Sequence, residues 1–155
     1  MTTKADFTEE EWKTVLEAPP AAGLLVAAAQ RGGSFRESFG IAKAYTEARK
    51  QHGESALLDE IAATKPAMDH TRHHSLDELR AASLKHLTDA VAILDAKATP
   101  AEVEQYKLFV VSLAERVAAA HREGFLGLSG ERVSDAETAA INEIKTTLDL
   151  PVDAA

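Results

Sequence analysis

Between Glu9 and Leu150 the apolar residues recur at steps of three and four, the spacing of helices that each bury one face. A first helix is predicted from about Glu9 to Ala18, stopped by Pro19-Pro20. A second starts at Pro20, and its Ala21–Ala29 stretch is apolar on every side, as in a helix surrounded by others. Arg31-Gly32-Gly33 ends it. The third runs from the Ser34 cap to about Gln51, with Phe35, Phe39, Ala42 and Ala48 near one face and Gly53 as its stop. A short fourth helix covers about Ala56–Thr64, before Pro66. The polar stretch Lys65–His74 reads as irregular.

Ser75 opens a long fifth helix reaching about Lys97, with Leu84, Leu87, Val91 and Leu94 on one side. After the break Ala98-Thr99-Pro100, a sixth carries Val103, Tyr106, Val110, Leu113, Val117 and Ala120 as a seam for an antiparallel neighbour, most simply the fifth. Gly124 ends it. A glycine-punctuated loop, Phe125–Val133, leads to a seventh helix, Asp135–Asp149, with Ala140, Ile141, Ile144 and Leu148 inward.

Helix starts are marked independently of this periodicity. Thr8/Glu11, Ser34/Glu37, Ser75/Glu78, Thr99/Glu102 and Ser134/Glu137 each place a hydroxyl three positions before a glutamate. In that arrangement the hydroxyl accepts from the backbone N–H of the Glu, whose carboxylate reaches back to the N–H of the capping residue. The negative charge also lies where the helix dipole favours it. One such cap is worth roughly 1 kcal/mol. The combined reading is an all-α single domain of about seven helices, with helices two, five and six at its centre and an ordered core over residues 7–150.

Composition narrows the functional classes. A chain of 155 residues buries about 70% of its unfolded surface and needs no metal or crosslink to fold. Aromatic residues make up only 5%, so the core is built of Ala, Leu, Val and Ile. The absence of cysteine excludes disulfides, thiolate catalysis and Cys-ligated zinc. No apolar run approaches the roughly 20 residues of a membrane span, and the residues after Met1 do not form a secretory signal. A cytoplasmic protein with no membrane partner is therefore expected. The net charge of −8, with Lys and Arg scattered, argues against a nucleic-acid partner.

Candidate chemistry is sparse. Asp69-His70-Thr71-Arg72-His73-His74 would pair His70 with His74, and Asp69 with His73, on one face of a helix, a spacing that chelates a divalent metal. Arg72 opposes a cation there, and the cluster lies just before the Ser75 cap, so solvated loop histidines are the plainer reading. His86 and His121 border apolar positions on the two long helices and read as edge-of-core residues. Ionisation of all six histidines would move the net charge from −8 to −2, giving association or solubility a handle near pH 6. No Glu precedes a His by three residues, so a di-iron bundle is excluded; a nucleophile elbow and a phosphate loop are missing too. Gly124, Gly127 and Gly130 could free backbone amides for an anion, but Glu131, Asp135 and Glu137 repel one; with Leu126 and Leu128 alternating with polar or small residues, a loop pinned to the core is the plainer reading, and cation binding by those acids the lesser alternative.

One resemblance stands on particular residues. Ala118-Ala119-Ala120 closing an apolar helix, then Gly130-Glu131-Arg132-Val133-Ser134-Asp135-Ala136-Glu137, then Ile141, Ile144, Leu148, Asp149 and Leu150 follow an order similar to the TerB family of helical proteins associated with tellurite resistance and stress response. That family places Ala-Asp-Gly before a Val or Ile, a cap and a Glu. Here Ser129 replaces the Asp, and one residue is inserted between Gly130 and Val133. The resemblance implies a fold of two similar helical halves. A faint repeat agrees, Ala27–Gly32 echoing Ala118–Gly124, each followed by a loop and a Ser-x-x-Glu cap. Metal binding by acidic positions, implied by the family, would fall here to Glu131, Asp135 and Glu137.

The function expected from all this is a non-enzymatic accessory protein with no cofactor, associated with stress response and working through a protein partner or self-association. The competing expectation is a metal-binding protein or metal-dependent hydrolase, using Asp69, His70, His73 and His74 or using Glu131, Asp135 and Glu137.

Overall fold

The computed structural model describes residues 2–29, 37–50, 55–65, 75–123 and 135–152. A 3-10 turn, Lys4–Asp6, precedes α1 (Glu9–Ala29), α2 (Glu37–Lys50), α3 (Ala56–Ala63), α4 (Leu76–Lys97), α5 (Pro100–Glu123) and α6 (Asp135–Thr147). Among the described residues every regular element is helical, and the helices pack as one bundle.

The first two predicted helices are one. α1 runs through Pro19 and Pro20, so the described helices number six and not seven. A proline inside a helix cannot donate to the carbonyl four residues back, a defect costing about 3 kcal/mol. For Pro19 that carbonyl is Val15, and it is not left bare: the Tyr106 hydroxyl of α5 donates to Val15 O at 2.7 Å, inside the core. Burial supplies the remaining compensation. Ala18 through Gly23 are all buried, so this part of α1 is enclosed on every side, as its uniformly apolar sequence predicts.

Around α1 the other helices arrange themselves. Lys97, at the end of α4, reaches Glu11 at the start of α1, so those two helices are antiparallel. Tyr106 meets Val15 and Leu113 meets Gly23, so α5 runs parallel to α1. The predicted seam of α5 is buried at Val103, Tyr106, Val110, Leu113 and Val117. It lies mainly on α1 and α2, with α4 a lesser neighbour, because α1 packs against both members of the α4–α5 pair. The centre is thus the second half of α1 with α4 and α5.

Gly23 lets α5 and α2 approach α1 closely. A Cβ there would come within 2.9 Å of Leu113 Cδ2 and 3.0 Å of Ile41 Cγ1. On α2 the inward positions are Ile41 and Tyr45, while Ala42, expected on that face, is exposed. The α6 seam is as predicted, with Ala140, Ile141, Ile144 and Leu148 all buried. Its C-terminus closes with Asp149 N–H on Thr146 O and Leu150 N–H on Lys145 O. That pattern demands a left-handed residue, and Asp149 supplies it at φ 57°. Pro151 then bars continuation.

Candidate functional site

The sequence directs attention to two sets of ligating residues. Asp69, His70, His73, His74 and Glu131 all lie outside the described residues. Asp135 is the first residue of α6. Glu137, two residues on, is 3% exposed and is not without a partner. Among the described residues no group of three or more His, Asp or Glu is arranged to hold a metal ion. His86 is half-buried on α4 and also has an interaction partner, in line with an edge-of-core residue.

The densest described polar cluster is one the sequence did not single out as a whole. It forms where the chain start crosses the α4–α5 junction. Thr99 caps α5 as predicted: its N–H donates to Glu102 Oε2 at 2.9 Å, and its hydroxyl accepts from the Glu102 N–H at 3.2 Å. The same carboxylate takes two further bonds from Thr2, the N–H on Oε1 at 2.9 Å and the hydroxyl on Oε2 at 2.6 Å. Glu102 is only 8% exposed. Burial pushes its carboxyl up, but the Thr2 hydroxyl, the Thr99 N–H and the Thr2 N–H outweigh that and hold it at about 2.

Beside it, Lys97 Nζ binds Glu11 Oε2 at 2.6 Å and the Asp6 carbonyl at 3.0 Å, and sits 5.7 Å from the centre of the Phe7 ring. The Lys97 hydrogen bond and the Thr8 N–H together lower the Glu11 carboxyl. Thr8 and Glu11 make the predicted reciprocal cap of α1 at 2.8 and 3.2 Å. Every charged group in this cluster thus holds another part of the same chain.

A second polar locus lies inside the core. Tyr45 and Tyr106 are 1% and 0% exposed. Burial raises both hydroxyls above the ordinary tyrosine range, and Tyr45 raises Tyr106 further. Their hydroxyls are used differently. Tyr106 repairs the Val15 carbonyl, whereas Tyr45 Oη has no hydrogen-bond partner among the described residues, its ring standing edge-on to Phe109 at 5.6 Å.

An open cleft of about 530 Å³ lies between α2 and α3, lined by Arg49, Asp59, Ala62, Ala63 and Lys65. Arg49 Nε donates to the Ala62 carbonyl at 2.5 Å, satisfying the last turn of α3. Elsewhere, Arg80 Nε donates to both Glu143 oxygens, at 2.6 and 2.8 Å, tying α4 to α6.

What sequence reasoning missed has a common form. Ser55 caps α3 by accepting from the Leu58 N–H at 3.3 Å, but Leu58 gives no glutamate signal. Thr2 and Tyr106 find partners about a hundred positions away, beyond the reach of any local pattern. Comparison of the chain with protein-family models, with curated proteins and with solved structures gives no match.

Proposed function

We propose that this chain is a non-enzymatic helical accessory protein that works by presenting a rigid surface to a protein partner, a second copy of itself included. The observation that carries the reading is the use made of its displaced and buried polar groups. Strongly shifted groups mark reaction centres when they converge on a cleft. Here Glu102 binds Thr2 and Thr99, Lys97 binds Glu11 and Asp6, Arg80 binds Glu143, and Tyr106 binds Val15. Apart from the Thr99–Glu102 cap, which is internal to α5, each of these contacts ties one part of the chain to another. The surface left for recognition includes Leu76 at the start of α4 and Leu108 midway along α5, both half exposed.

The likeness of the C-terminal part to TerB proteins adds a link to stress response. A cysteine-free chain suits a cytoplasmic setting. Native mass spectrometry before and after exposure to zinc, calcium and manganese tests the proposal. A dimer without stoichiometric metal is the expected result. Metal retained one per chain, and lost on His70→Ala/His74→Ala, would replace this reading with the metal-dependent one.

A further inference from the structure

The segment Thr2–Phe7 lies across one end of the bundle and is bound to it in an unusual way. Its own backbone bonds are local, Asp6 N–H to Thr3 O at 3.0 Å and Phe7 N–H to Lys4 O at 3.1 Å. Its ties outward fall almost entirely on side chains of other elements. Thr2 holds Glu102 by two bonds and approaches the Lys97 carbonyl at 3.4 Å; the Lys4 N–H donates to Glu60 Oε2 at 2.6 Å. Lys97 Nζ holds the Asp6 carbonyl, and the Phe7 ring lies against Trp12 at 5.6 Å. Lys4, Ala5 and Asp6 are exposed, so Thr2 is the only buried polar anchor.

We propose that Thr2–Phe7 is a clasp that opens as a unit while the six helices stay folded, that Glu102 is its lock, and that opening bares the Trp12 face now under Phe7. The physical basis is a separation of duties at one carboxylate. When Thr2 leaves, Glu102 keeps its reciprocal bonds with Thr99, so α5 retains its cap. Opening therefore breaks only the ties of the segment, the contacts of the Phe7 ring with Trp12 and Lys97 among them, and the segment regains conformational freedom. Segments attached in this way open locally at a fraction of the cost of global unfolding. The device conceals an aromatic surface at the end of the bundle and makes its exposure depend on the Thr2–Glu102 anchor.

Hydrogen exchange and acrylamide quenching on the full chain test it, because Trp12 is the sole tryptophan. Thr2→Val removes the hydroxyl tie and leaves the α5 cap intact. It should speed exchange of the Asp6 and Phe7 amides about tenfold and raise quenching of Trp12, with exchange inside α4 and α5 and the helical circular dichroism unchanged. Glu102→Gln should accelerate the same amides at least as much. Unchanged exchange and quenching in Thr2→Val would overturn the proposal. So would acceleration spread equally through α1, α4 and α5, since clasp and bundle would then be one cooperative unit.

Discussion

Substituting phenylalanine for each buried tyrosine separates a hydroxyl that repairs the helix from one that does not. Tyr106→Phe keeps the ring and deletes the donor to Val15 O, a carbonyl that Pro19 cannot serve and that lies inside the core. Leaving a buried acceptor unpaired costs about 1–3 kcal/mol. For a chain of this length 1 kcal/mol moves Tm by about 2–4 °C, so a fall of about 2–12 °C is expected. Tyr45→Phe removes an equally buried hydroxyl that has no hydrogen-bond partner among the described residues. It should leave Tm unchanged or raise it, by up to about 1 kcal/mol of stability, because the desolvation penalty of that group disappears. A double-mutant cycle makes the test specific. Pro19→Ala restores an N–H to serve Val15, so Tyr106→Phe should cost less in the Pro19→Ala background than in the wild type. The assay is thermal and urea unfolding followed by circular dichroism. Equal losses for the two tyrosines, or no coupling between positions 19 and 106, would refute the reasoning.

The Glu102 carboxyl is lowered by folding from the ordinary glutamate range to about 2, so its contribution is fully present above pH 4.5 and lost as pH falls from there towards 2. A pH series of urea unfolding should show about 2–3 kcal/mol less acid-dependent loss in Glu102→Gln than in the wild type, though that variant starts from lower stability at pH 7. Gly23→Ala, which improves an exposed helix, should destabilise this one by about 1–2 kcal/mol, since the methyl group meets Leu113 and Ile41 in a filled core; a higher Tm would contradict that close approach. Asp149→Gly should stabilise by up to about 1 kcal/mol by relieving a left-handed non-glycine residue. A lower midpoint in denaturant would show that the aspartate side chain contributes more than its backbone costs.

Much of this architecture is written locally. The Thr8/Glu11 and Thr99/Glu102 boxes form with both reciprocal bonds, and Ser75 accepts from the Glu78 N–H at 3.1 Å. The caps at Ser34 and Ser134 lie outside the described residues. The inward faces of α5 and α6 follow their spacing because each helix is buried on one side only; on α4 the buried line is Ser83, Leu87, Ala90 and Leu94, and the expected Leu84 and Val91 are only half-buried beside it. The reading fails where a distant residue decides. Pro19-Pro20 is a stop signal until Tyr106 arrives to satisfy Val15. On α2, alanines could not reveal which face was inward, and the bulkier Ile41 and Tyr45 set it. The candidate site was less legible still. Glu102 was recognisable as a cap, but nothing near it announces Thr2, so its second role emerges only from the fold.

α1 is a single helix that runs through Pro19 and Pro20, the Val15 carbonyl that Pro19 leaves unserved being taken by a hydroxyl from α5. NMR of the labelled full chain tests it most directly, through the ¹³Cα shifts of Val15–Ala22 and the contacts of the Tyr106 ring. Helical shifts across that stretch, with nuclear Overhauser contacts from Tyr106 to Val15 or Pro19, are expected. Coil shifts at Ala18–Ala21, or a Tyr106 ring remote from α1, would contradict it.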